Sequence, residues 1–147
     1  MPSSLREVRL VALPRFARED GELVAIESHS DGAPFSIARV FTIRAPENSI
    51  RGKHAHRRCT QLMIGGHGKI VVECNDGASS QSFTLDRIDQ GLLVPPGIWA
   101  EVTFLVSDSM LLVLCDRPFE EADYIRDLSE FRAWRSESDK SKNGGGA

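Results

Sequence analysis

The chain has 147 residues, enough for one domain with a sizeable core. Apolar (41%) and charged (27%) fractions are those of a soluble globular protein, and a net charge of -3 supplies no basic field for nucleic acid. No apolar run approaches the roughly 20 residues of a membrane helix, and the opening MPSSLREVRL holds no apolar signal core, so a cytoplasmic protein without a membrane partner is expected.

Residues 5–13 alternate and are β-branched, which predicts a strand ended by Pro14. A second strand is expected over 21–27, then a turn over 29–34. Residues 35–44 alternate again. Phe35, Ile37, Arg39, Phe41 and Ile43 share one parity, so Arg39 sits among large apolar neighbours. It either looks inward and needs an anionic partner there, or lies at a strand edge with its head in solvent. Residues 45–50 read as a loop.

Arg51-Gly52-Lys53-His54-Ala55-His56 follows, and two residues apart on a strand puts both imidazoles on one face. Gln61 to Ile64 leads into Gly65-Gly66-His67-Gly68, read as a turn, with 69–74 as the return strand of a hairpin. Asn75-Asp76-Gly77 is a turn signal, and a short strand is expected over 81–85. Residues 91–94 run into a rigid Pro95-Pro96-Gly97 reversal. Residues 98–106 and 110–115 complete the strands, the last apolar enough for burial on both sides. Cys59, Cys74 and Cys115 show no C-x-x-C spacing and read as buried reduced thiols.

After Pro118 the pattern changes. Residues 120–126 and 128–134 read as short helical turns, with Ile125, Leu128, Phe131 and Trp134 recurring at threes as a stripe packed on the barrel. Residues 136–147 are polar and glycine-rich, so a disordered tail is expected. About nine strands with helix only at the end argue one all-β domain over residues 1–135, a barrel or jelly roll.

The two glycine-flanked motifs resemble those of the cupins. Gly52, His54-x-His56, Gln61 and Gly68 match the first, and Gly91 with Pro95-Pro96-Gly97-Ile98-Trp99-Ala100 the second. The usual metal-binding glutamate is Gln61 and the usual histidine is Ala100. Two imidazoles and a neutral amide make a poor transition-metal site, so no metal is expected. RGKHAHRRCTQ, GLLVPPGIW and the closing DYIR are similar, more narrowly, to the dTDP-sugar 3,4-ketoisomerase (WxcM-like) family, over roughly residues 5–134.

That resemblance implies a cupin jelly-roll barrel with short C-terminal helical segments. It implies a metal-independent isomerase, without a cofactor, that moves the keto group of a dTDP-4-keto-6-deoxyhexose from C4 to C3 through an enediol. The setting would be deoxyamino-sugar and polysaccharide biosynthesis, and the assembly a homodimer with exchanged N-terminal strands. The family's paired histidines fall on His54 and His56, its arginines on Arg39 and Arg51, and its glutamine on Gln61. Phe41 and Thr42 stand where the family has tyrosines, and Ala100 where it has a histidine or arginine facing the sugar.

Imidazole suits both proton transfers of such a reaction because it titrates near working pH. His56 is assigned as the shuttling base and His54 as its partner or the oxygen stabiliser. Arg39 and Arg51 match phosphate oxygens, and Gln61 a sugar hydroxyl. Trp99 is placed with the substrate-binding residues as a stacking surface, against the alternative of a core tryptophan. Lys53 and Arg57, of opposite parity to the histidines, read as a solvated face. His29 and His67 receive no role, and Tyr124 reads as packing. The alternatives are a non-catalytic cupin module binding a nucleotide sugar, or a dTDP-sugar epimerase, whose chemistry wants a tyrosine acid.

Overall fold

Half-buried alternation dominates the chain, and it folds as two antiparallel layers. The computed structural model describes the backbone of residues 3–144, with side chains to residue 140 in the terminal helix. Among the described residues there are twelve strands, more than the nine expected. They are β1 (Arg9–Ala12), β2 (Arg15–Arg18), β3 (Gly21–Val24), β4 (Arg39–Arg44), β5 (Ser49–His56) and β6 (Gln61–His67). The rest are β7 (Ile70–Asn75), β8 (Ser80–Leu85), β9 (Gln90–Val94), β10 (Trp99–Phe104), β11 (Met110–Cys115) and β12 (Tyr124–Ile125), followed by helix α1 (Leu128–Gly144).

One five-stranded sheet has the order β1-β9-β6-β11-β4 and the other β12-β5-β10-β7-β8. The all-β jelly-roll expectation therefore holds. The faces they turn to each other bury Met63, Val72, Leu92, Phe104 and Val113 in one cluster. A second cluster covers the outside of the first sheet, where Leu62, Ile64 and Leu114 meet Phe35 and Ile37. β11 is thus apolar on both faces because both faces are covered. A third cluster sits outside the other sheet, where Ala55, Trp99 and Ile125 meet Phe131 of α1. All three cysteines are buried and unpaired.

Several boundaries differ from the sequence reading. Residues 5–7 form a 3-10 turn before β1, and residues 15–18 form a strand paired with β3, which itself stops at Val24. Only residues 39–44 of the run 35–44 are strand. β6 and β7 are not a hairpin: β6 pairs with β9 and β11, while β7 pairs with β8 and β10. Gly65, Gly66 and His67 are not a turn but the end of β6, and the chain passes from one sheet to the other at Gly68, with φ +78°. Residues 121–123 form a 3-10 turn and residues 124–125 a strand, and only then does a helix begin. That helix runs on from Leu128 to Gly144, through most of the stretch expected as a disordered tail. Residues 145–147 lie outside the described residues.

Candidate active site

The site is built where β5 bends. Gly52 pairs with Glu101 and His54 with Ala100, so Lys53 is an extra residue in the ladder. Gly52 at φ +84° and Lys53 at φ +56° give this bulge its left-handed turn. A Cβ on Gly52 would lie 3.0 Å from the Ala100 carbonyl oxygen, so glycine is required. Beyond the bulge the two-residue period resumes, and His54 and His56 point the same way. Their ring centroids are 5.1 Å apart at 89°.

β12 closes against this end of β5, with Tyr124 opposite His56 and Ile125 opposite Ala55. Arg57 latches it, donating to the carbonyls of Ala122 at 3.0 Å and Tyr124 at 2.9 Å. It is therefore half-buried structure and not the solvated face expected, whereas Lys53 is exposed. The pairing delivers Asp123, 3% exposed, to His56. His56 Nδ1 lies 2.8 Å from Asp123 Oδ2, and the Arg58 backbone N–H donates to Asp123 Oδ1 at 2.6 Å. The carboxylate accepts the Nδ1 proton, which leaves Nε2 as the lone-pair nitrogen. That Nε2 is buried without a hydrogen-bond partner, as is His54 Nδ1.

Tyr124 packs against both imidazoles, edge-on to His54 at 5.0 Å between centroids and tilted on His56 at 4.4 Å. Arg126 lies over the Tyr124 ring, its guanidinium carbon 4.2 Å from the centroid, and pairs with Glu121 at 2.9 and 3.0 Å. Burial, and next the adjacent His56, push His54 down to about 4. Burial also pulls His56 below its ordinary value, against the Asp123 hydrogen bond, which raises it. Both rings are therefore neutral near pH 7.

A cavity of about 320 Å³ opens beside the pair, lined by His54, Arg39, Arg51, Gln61, Ala100 and Tyr124 among others. Five of the six expected site residues converge: His54, Arg39, Arg51 and Gln61 on its wall, and His56 behind Tyr124. Arg39 does look inward, in step with Phe41 and Ile43, which also line the cavity. Neither Arg39 nor Arg51 has an ion-pair partner among the described residues. The Arg39 guanidinium carbon instead lies over two rings, 4.5 Å from the Phe41 centroid and 5.3 Å from that of Phe119. Gln61 is buried and donates to Cys115 Sγ at 3.5 Å.

Trp99 is the exception. It is 5% exposed and packs on Phe131 at 5.7 Å, in the cluster under α1. Ala100 faces the cavity, so its neighbour on the strand must face away. Two residues that the sequence reading did not assign belong to the site, Asp123 as the partner of His56 and Tyr124 as its wall. The signal was the DYIR motif, whose first two residues they are.

The metal-binding positions of a cupin do not fit a metal here. Ala100 offers no donor, and Gln61 offers a neutral amide already turned to a thiol. A second group, His56, Cys59 and Asp123, has ligand atoms within 4.8 Å of one another. Both Asp123 oxygens in it are committed to hydrogen bonds.

Residues 6–136 match the family model described as FdtA, WxcM-like, C-terminal. The chain belongs to that family. It is also 33% identical over 139 residues to the TDP-4-oxo-6-deoxy-alpha-D-glucose-3,4-oxoisomerase of Aneurinibacillus thermoaerophilus, covering 94% of this chain and 99% of that one. The sugar 3,4-ketoisomerase QdtA of Thermoanaerobacterium thermosaccharolyticum, solved with TDP, superposes with a TM-score of 0.87 at 27% identity, over 92% of this chain and 98% of QdtA. A 3,4-ketoisomerase from Helicobacter canadensis gives 0.85 at 29% identity, over 88% and 98%. In this WxcM-like chain the motif residues thus have physical places: a bulge, an imidazole pair, a carboxylate behind it and unpaired guanidinium groups in front.

Proposed function

We propose that the protein is a dTDP-4-keto-6-deoxyhexose 3,4-ketoisomerase that works without a metal. The observation that carries the reading is the His56–Asp123 pair, whose unpartnered Nε2 belongs to a ring packed against His54, itself a wall residue of a cavity also lined by unpaired Arg39 and Arg51. Nε2 of His56 takes the proton from C3, and the C3 electrons form the C3–C4 double bond as charge moves to O4. Neutral His54 donates its N–H to O4, which completes the enediol, and takes the proton from O3 as the C3 carbonyl forms. The His56 imidazolium, held by the Asp123 carboxylate, returns its proton to C4. Atoms and charge balance with no external acid, base or oxidant. Arg39 and Arg51 supply cationic forks for the diphosphate.

The same reading makes the chain a homodimer that exchanges N-terminal strands. β2 and β3 pair only with each other among the described strands. Phe16 and Leu23, opposite one another in register, are 62% and 58% exposed. A second copy would remove both from water. No described helix is long and apolar enough to cross a membrane.

The test is incubation with dTDP-4-keto-6-deoxyglucose and proton NMR of the sugar. A 3-keto product supports the reading, tight binding without turnover favours a non-catalytic module, and C3 or C5 inversion with the carbonyl still at C4 favours an epimerase. Light scattering of the eluting protein decides the dimer.

A further inference from the structure

Trp99, the aromatic residue expected to stack on substrate, is buried elsewhere, yet one large aromatic ring that is open to solvent lies against two residues of the cavity wall, Arg39 and Tyr124. Phe119 is 53% exposed. It follows Pro118 in the segment between β11 and β12. Its ring touches Tyr124 at 5.5 Å between centroids, and Tyr124 in turn lies 4.4 Å from His56. A row of rings therefore runs outward from the buried imidazole through Tyr124 to Phe119. Phe119 also covers Arg39, whose guanidinium carbon sits 5.3 Å from its centroid. The Arg39 guanidinium carbon lies over the rings of both Phe41 and Phe119, and among the described residues no carboxylate pairs with its N–H groups. Those N–H groups are the part that matches phosphate oxygens.

We propose that Phe119 is the platform on which the nucleobase of the substrate stacks, and so a residue that sets nucleotide affinity. The inference rests on the ketoisomerase reading and gives its cavity an orientation. The hexose lies against His54 and His56, the diphosphate on the edge of Arg39, and the base on the open face of Phe119. The order along the protein (imidazole, guanidinium, exposed ring) is the order along the ligand (sugar, diphosphate, base). Two Phe119 neighbours, Tyr124 and Arg39, hold the ring in place, so a stacking partner meets a surface already fixed. Stacking uses the flat face that every base has, so this contact selects for a nucleotide more than for one particular base.

The experiment measures binding of dTDP and of inorganic pyrophosphate to the wild type, Phe119→Ala and Phe119→Trp, alongside KM and kcat with dTDP-4-keto-6-deoxyglucose. Loss of one base stack is expected to weaken dTDP about 5- to 150-fold in Phe119→Ala. KM should rise by a similar factor, kcat should stay within about twofold, and pyrophosphate binding should be unchanged. Phe119→Trp should retain dTDP affinity. An equal loss for dTDP and pyrophosphate would mean that Phe119 only supports Arg39, and would overturn the proposal. Unchanged dTDP affinity in Phe119→Ala, where the wild type turns over the sugar nucleotide, would overturn this proposal alone. A wild type that neither binds dTDP nor isomerises the sugar sinks the functional reading, and this inference with it.

Discussion

Asp123→Asn changes one atom and tests the dyad. The carboxylate accepts twice, from His56 Nδ1 at 2.8 Å and from the Arg58 N–H at 2.6 Å. An amide has one oxygen and one NH2 group. If the oxygen stays on the Arg58 N–H, the NH2 faces Nδ1, which must then accept. The ring proton moves to Nε2 and the base is lost. If the amide turns over, the Arg58 N–H faces a donor in a buried place, at about 1–3 kcal/mol. The imidazolium also loses its counter-charge in either case. General-base catalysis is worth about 10²–10⁴, so kcat should fall by that factor, about 3–5 kcal/mol of barrier. KM should move little, since Asp123 is shielded from the cavity by the His56 ring and Tyr124. The assay is steady-state conversion of dTDP-4-keto-6-deoxyglucose, with circular dichroism confirming the fold. A variant within threefold of wild-type kcat would refute the role given to Asp123.

Acid should destabilise the fold through His54. Its folded value, about 4, lies below the unfolded 6.5, so the unfolded chain takes the proton first. Stability is therefore full above pH 6.5 and is lost as pH falls from about 6.5 to about 4, by at most about 3 kcal/mol; urea midpoints across that range should fall more steeply in the wild type than in His54→Gln. Gly52→Ala should cost about 1–2 kcal/mol for its left-handed φ and lower kcat by displacing His54, read by thermal melting and turnover. Trp99→Ala should cost about 3–5 kcal/mol as a buried aromatic while leaving dTDP affinity unchanged, and a large rise in Kd without loss of stability would return Trp99 to the site.

The half of the site that lies on single strands was legible because the side-chain period of a strand is two. That period put His54 and His56 on one face and Arg39 on the face of Phe41 and Ile43. It also held the answer for Trp99, since the residue before an inward Ala100 must point outward. What was not legible depends on pairing between distant segments. Asp123 reaches His56 across 67 residues, and nothing local in Glu120–Arg126 marks a strand. The apolar residues at threes looked helical, but they divide: Ile125 belongs to β12 and Leu128, Phe131 and Trp134 to α1, all meeting in one cluster. Gly65 to Gly68 misled for a related reason. Gly65 to His67 finish β6 and only Gly68 breaks the strand, and a glycine break looks the same whether the chain returns beside its own strand or crosses to the facing sheet.

The central claim is a proton carried between neighbouring carbons by an imidazole held on a carboxylate, with no metal in the path. Protein stripped with a strong chelator and given dTDP-4-keto-6-deoxyglucose should form a 3-keto sugar at the unstripped rate, and His56→Ala should form none. Turnover that chelation abolishes and a metal ion restores, or a His56→Ala variant that keeps the wild-type rate, would contradict the account.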